Sequence, residues 1–328
     1  MDVAGVIAGR LAEGGLVIID GGMGSQLQAD GVPMDEVAWS ARANLEQPDV
    51  VQRVHEAYIR AGAEVIIANT FAASRAALEP AGLGDRVAEA NRNAVRAALR
   101  AREAAATATR PVAVAGSMSS FCPVAMEPAA AGPPPDGPAA VDPRLPGLAD
   151  FREQAALLAE AGADLIALEM IDDQSYGRAA LQAAAETGLP VWLGVSPARR
   201  ADGTLGTLPE IGDGSSFTDL LSALVDPALA AVTVMHADPG VTLDAIDVIR
   251  NCYAGPIGAY AENGGWQPPN WVFDGLAPGE YLQHATAWAD RGAQLIGGCC
   301  GTGPGHIQAL ADGLLSSRPA PPRSSGQR

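Results

Sequence analysis

Two adjacent cysteines in a glycine frame, Gly297-Gly298-Cys299-Cys300-Gly301-Thr302-Gly303-Pro304, close a short apolar run and hold half of the chain's cysteines. Side chains alternate across a regular strand, so neighbouring thiols converge on one point only where the strand gives way to a turn. Flanking glycines permit that turn. The geometry serves either a vicinal disulfide or two thiolate arms on one soft metal ion, for which zinc is the usual choice. Cys122 and Cys252 are far away in the sequence. Four unevenly spaced cysteines make no disulfide scaffold in a chain of 328 residues, so reduced thiols or metal ligands are expected.

The cysteine pair is the last of eight strand ends. Apolar runs at Gly15 to Ile19, Val65 to Ala68, Val112 to Ala115 and Leu165 to Leu168 end at Asp20, Asn69-Thr70, Gly116-Ser117 and Glu169. Runs at Val191 to Val195, Ala231 to Met235, Ile257 to Tyr260 and Ala293 to Ile296 end at Ser196, His236, Glu262-Asn263 and the cysteines. Continuous apolar strands separated by amphipathic helical stretches are the mark of parallel βα units. Helices are expected over 50–61, 85–106, 151–161, 177–187, 218–225, 242–250, 281–291 and 306–315. Eight such pairs predict an α/β fold, a single (β/α)₈ TIM barrel over residues 1–316, with every polar strand end on one rim. A doubly wound sheet competes, but Asp20-Gly21-Gly22-Met23-Gly24-Ser25 lacks the G-x-G-x-x-G spacing and its acid precedes the glycines. An alanine- and proline-rich connection, 127–147, falls on the same rim as an insertion, a cover or a contact between copies. Residues 317–328 read as a disordered tail.

An apolar content of 48% supports a substantial core. The formal charge of −17 repels phosphate backbones and anionic lipid, so neither nucleic acid nor a membrane surface is an expected partner. Met1-Asp2-Val3-Ala4 opens no basic region with a long apolar run behind it, and no stretch is long enough to span a bilayer. A cytoplasmic location is the expectation.

Asp20-Gly21-Gly22-Met23-Gly24-Ser25, Asn69-Thr70-Phe71, Gly116-Ser117, Glu169 and the final Gly297-Gly298-Cys299-Cys300-Gly301-Thr302 with Pro304 and His306-Ile307 together resemble the homocysteine S-methyltransferase family over nearly the whole chain. The resemblance implies a zinc-binding barrel that moves a methyl group from a small sulfonium or betaine-type donor to the homocysteine sulfur. It implies three cysteine ligands for the metal, an ammonium site at Asp20 and Glu169, and amides of Gly21, Gly22 and Met23 at the substrate carboxylate. Asn69, Thr70, Ser117, Glu262 and Asn263 are further candidate substrate contacts on the rim, and self-association is a familiar property of such barrels. Since the barrel accounts for the chain's length, no cobalamin or folate module is expected, and the donor is a small molecule or comes from a partner.

The match breaks at the sixth strand end. Where the family places its first zinc cysteine, this chain reads Val234-Met235-His236-Ala237-Asp238-Pro239. A neutral thioether is a poor zinc ligand and an imidazole a good one. His236 is therefore the candidate third ligand beside Cys299 and Cys300. The other readings are no zinc, recruitment of Cys122, or a repurposed pocket in which His236 is a base or a rim residue. With histidine for cysteine, the zinc centre with bound substrate thiolate carries a formal charge of about −1 instead of −2, which predicts a preference for a reactive sulfonium over betaine. Other departures, Glu169-Met170 and Tyr260-Ala261-Glu262-Asn263-Gly264-Gly265-Trp266, fall on the substrate rim. They leave a different thiol or selenol acceptor open, as they do a metal-free lyase or isomerase using Asp20, Glu169 and His236, or an amino-acid-binding protein. Trp266 and Trp271 are read either as a face for a methylated cation or as packing.

Overall fold

The computed structural model describes residues 2–107, 110–121, 146–209 and 212–316. Cys122, the tail at 317–328 and all but the last two residues of the 127–147 connection lie outside the described residues.

The eight apolar runs become parallel strands: β1 Val17–Ile18, β2 Val65–Ile67, β3 Ala113–Ser119, β4 Leu165–Glu169, β5 Val191–Val195, β6 Ala231–Met235, β7 Ile257–Tyr260 and β8 Leu295–Ile296. Each pairs with its sequence neighbour, and β8 returns to β1 through Val17↔Leu295 and Ile18↔Ile296. The last seam, β1 to β2, is joined by the Ile19↔Val65 bridge, with the Asp20 amide donating to the Val65 carbonyl at 3.0 Å. The sheet closes into a (β/α)₈ barrel.

Alternate residues along each strand enter different cores, as the period of two requires. Val17, Ala113, Ala115, Leu165, Trp192 and Leu295 fill the barrel interior, while Ile18, Ile66, Val114, Ile166, Leu193 and Val232 face the surrounding helices. An unforeseen N-terminal helix, Val3–Ala12, brings Ile7 and Leu11 to the interior cluster. It closes the barrel end opposite the strand termini.

Two differences from the sequence expectation have local causes. Helices expected to begin at residues 50, 242, 281 and 306 begin at Pro48, Pro239, Pro278 and Pro304. A proline in the first turn forfeits only an amide that would have no helical partner there. Strand β3, expected to end before Gly116, runs on to Ser119. A Cβ at Gly116 would come within 2.9 Å of Leu158, so the bare backbone lets helix Leu148–Ala161 pack closely while the ladder continues.

Candidate metal and substrate site

At the end of β8 the ladder continues for three amides before it turns. Gly297, Gly298 and Cys299 donate to the carbonyls of Ala259, Asp20 and Ala261. Gly301, at φ +77°, reverses the chain, and its amide is held by the Ser25 hydroxyl at 2.9 Å. The turn leaves both cysteine side chains partly exposed at the rim.

Across the rim, His236 follows β6 with φ at 44°. Had the strand continued, residue 236 would point away from the face Met235 occupies. The left-handed turn breaks that alternation, and both residues line the same cavity. The ligand atoms of His236, Cys299 and Cys300 all lie within 4.8 Å of one another, with His236 Nδ1 3.9 Å from Cys299 Sγ. Zinc bonds of about 2.3 Å to sulfur and about 2.05 Å to nitrogen give a tetrahedral S–N edge of roughly 3.6 Å. The triad therefore fits a tetrahedral ion with small inward movements. Glu262 Oε2 stands 3.2 Å from the same His236 nitrogen.

Burial opposes a charge on His236, yet its contact with Cys299 and the nearby Glu262 and Asp172 carboxylates outweigh that and lift its pKa to about 9. The hydrogen bond that the Cys299 thiol donates to Cys300, together with burial, pushes the Cys299 pKa well above its usual range. Without an ion Cys299 keeps its proton, and thiolate chemistry there calls for a metal.

Two buried acids, Asp20 and Glu169, interact near the site, and Glu169 lines the cavity. Asp20 is fully buried, with Oδ2 accepting the Ile67 amide at 2.9 Å and Oδ1 without a partner among the described residues. Burial pushes its pKa well up against the pull of the Ile67 amide, and the charge of Glu169 pushes it further. Glu169 accepts from the Ser117 and Tyr260 hydroxyls, and burial still raises its pKa. Two carboxyl groups that disfavour their own charges, one with an idle oxygen, suit an incoming cation.

The remaining wall is aromatic. Trp39, Phe71, Phe121, Trp266 and Trp271 form a connected set with ring centroids 5.1–6.4 Å apart. Each of them lines the cavity, and the His236 ring lies 6.4 Å from Trp271. Trp39 sits at φ 46° with its indole nitrogen buried and unpartnered among the described residues.

Of the residues nominated from sequence, Gly21, Gly22, Met23, Asn69, Glu169, His236 and the two cysteines line the cavity. Asp20, one residue before Gly21, is fully buried and is not brought to the cavity lining. The Gly22 amide is committed to the Thr302 carbonyl at 3.1 Å. Asn69 spends its side chain on Ser40 and Asn44, holding the segment that carries Trp39. Thr70 bridges to β3, donating to the Ser117 carbonyl at 2.7 Å and accepting the Ser117 amide at 3.0 Å. Asn263 closes its own loop with two hydrogen bonds to Leu276, and neither it nor Thr70 is brought to the cavity lining. Ser117 reaches the site through Glu169 and Glu262 through His236. Trp39, Phe121 and Tyr260 were missed as site residues. Only Tyr260, a strand's last residue, carried a positional signal; the other two come from irregular segments without periodicity. Cys252 is exposed at the end of helix Pro239–Cys252, remote from the other thiols.

No described helix is long and apolar enough to cross a membrane. Residues 17–314 match the family model described as homocysteine S-methyltransferase. The chain is 32% identical to homocysteine S-methyltransferase 1 of Zea mays over 91% of this chain and 94% of that one. It is 28% identical to the selenocysteine Se-methyltransferase of Brassica oleracea var. italica, over 93% and 90% of the two chains. Among solved structures, the metallated form of the homocysteine methyltransferase MmuM from Escherichia coli superposes with a TM-score of 0.69 at 25% identity, covering 90% of this chain and 96% of that one. The chain belongs to the homocysteine S-methyltransferase family.

Proposed function

We propose that the protein transfers a methyl group from a small sulfonium donor to the sulfur of homocysteine, giving methionine, with zinc held by His236, Cys299 and Cys300. The observation that carries this reading is the convergence of those three ligand atoms within 4.8 Å, in a cavity that Glu169 also lines, with the buried Asp20 interacting with Glu169. Zinc, when bound, supplies one thing: it keeps the acceptor sulfur deprotonated at neutral pH, in the open fourth position.

The chain's own residues do the rest. The idle Oδ1 of Asp20 and the carboxylate of Glu169 receive the substrate ammonium. That cation lets both carboxyls ionise together, which their mutual repulsion and burial otherwise oppose. The substrate carboxylate falls at the turn Gly21-Gly22-Met23, where helix Met23–Ala29 begins. The acceptor sulfur attacks the methyl carbon in line, the carbon–sulfonium bond breaks, and its electron pair leaves with a neutral thioether. The thiol proton departs earlier, to solvent. Trp266 and Trp271 offer faces to the cationic donor and keep water from the reacting atoms.

The test is a methyl-transfer assay on zinc-loaded protein, with homocysteine and a panel of sulfonium and betaine donors read by mass spectrometry. Methionine from a sulfonium donor is the expected result. No methionine from any donor overturns the reading, and faster turnover with betaine at equal concentration overturns the donor preference.

A further inference from the structure

Residues 235 and 236 both face the cavity from the end of β6, and one observation decides which of them can serve a metal. The Met235 sulfur accepts two hydrogen bonds, from the Met170 amide at 3.2 Å and from the Ser196 hydroxyl at 3.3 Å. A thioether sulfur has two lone pairs, so both are engaged on the side of β4 and β5. The donors are placed by the fold. Met170 follows β4 in a left-handed conformation, φ 58°, that turns its amide towards β6, and Ser196 follows β5 with its own amide fixed by Asp172 at 3.0 Å. Met170, Ser196 and Met235 are all buried.

His236 has the complementary arrangement. Its Nδ1 stands 3.9 Å from Cys299 Sγ and 3.2 Å from the partly exposed Glu262 carboxylate, and its ring is partly exposed. Left-handed backbone at a non-glycine residue costs roughly 1–2 kcal/mol and persists where surrounding contacts over-determine it. Here the sulfur latch anchors residue 235, the Glu262 amide donates to the Ala237 carbonyl, and the turn between has to carry the imidazole inward.

We propose that Met235 is excluded from the metal by this latch and that the third protein ligand is the Nδ1 of His236, making an S₂N site in place of three sulfurs. The inference rests on the metal part of the proposed function.

X-ray absorption at the zinc edge, on full-length protein reduced and loaded with one equivalent of zinc, counts the ligating sulfurs directly and needs no turnover. Two sulfurs and one imidazole are expected before substrate is added. Competition with a chromophoric chelator then ranks the variants, with thermal unfolding of the metal-free proteins recording that each is folded. His236→Ala weakens zinc binding by at least about a hundredfold, more than loss of an outer-shell partner does. Met235→Leu stays within about threefold of wild type. Met235→Cys raises the sulfur count to three and makes binding insensitive to a second His236→Ala change. Three sulfurs in the wild type, or Met235→Leu losing zinc as His236→Ala does, overturns the proposal. A folded, reduced protein that takes up no zinc overturns it as well, together with the metal in the proposed function, and the methyl-transfer assay judges the reaction separately.

Discussion

Asp20→Asn separates a substrate carboxylate from a turn residue that happens to be acidic. Asp20 is fully buried, its Oδ2 accepts the Ile67 amide at 2.9 Å, and its Oδ1 is the idle atom. An asparagine keeps the amide's acceptor and places an NH₂ where the ammonium of homocysteine is to be received. A hydrogen bond to a charged group contributes about 1.5–3 kcal/mol, which at 1.4 kcal/mol per decade is a loss of about tenfold to about 150-fold in kcat/KM. The control is a desamino acceptor, 4-sulfanylbutanoate, which keeps thiol and carboxylate. With it the wild type already lacks the interaction, so the variant changes kcat/KM by less than about threefold. Stability moves the other way. Burial disfavours the charge on Asp20, so the variant unfolds in urea at the wild-type midpoint or above it. Equal losses with both acceptors, or a lowered midpoint, refute the ammonium role and leave Asp20 as a structural residue.

Burial pushes the pKa of His55 down to about 3, and neither ring nitrogen has a partner among the described residues. The unfolded chain, with a histidine pKa of about 6.5, takes the proton first, so this contribution is complete above about pH 6.5 and drains as pH falls towards about 3, reaching about 2 kcal/mol lost at about pH 5. His55→Leu removes that increment from the change in urea stability between about pH 7.5 and about pH 5, and a variant with the wild-type slope contradicts it. Gly301→Ala would set a Cβ 1.6 Å from the Asn263 carbonyl oxygen at φ +77°, whereas Gly14→Ala at φ +79° meets open space. The first costs about 3 kcal/mol or more and the second about 1 kcal/mol, compared by urea unfolding. Zinc at about a thousand times its Kd adds about 4 kcal/mol to stability. The gain disappears with a chelator and in the Cys299→Ser/Cys300→Ser protein, and a gain that survives the double substitution places the ion elsewhere.

Much of this protein is legible in its sequence, because its strands are buried on both faces and announce themselves as short apolar runs. All eight appear within a few residues of where the runs lie, except β3, whose glycine and serines read as an ending although the ladder continues to Ser119. The hidden elements were those without a period. Helix Val3–Ala12 and the segment carrying Trp39 take their places from contacts with strands far away in sequence. The strand-end rule put Glu169, His236 and the cysteine pair on one rim, since parallel strands point their ends the same way. It could not say which side chains are already spent. Asn69, Thr70 and Asn263 share the rim by position, yet backbone and neighbouring amides claim their polar atoms.

The cysteine pair by itself determined that two thiols meet at the end of the last strand, because glycine on both sides lets the chain turn there. Its third partner was a matter for tertiary structure. Met235 and His236 are adjacent, and along a strand only one of them can face the cavity. A left-handed turn at φ 44° admits both, while amide and hydroxyl donors from the two neighbouring strand ends occupy the thioether. That leaves the imidazole facing the sulfurs, an outcome set by hydrogen bonds spanning 39 and 65 residues of sequence.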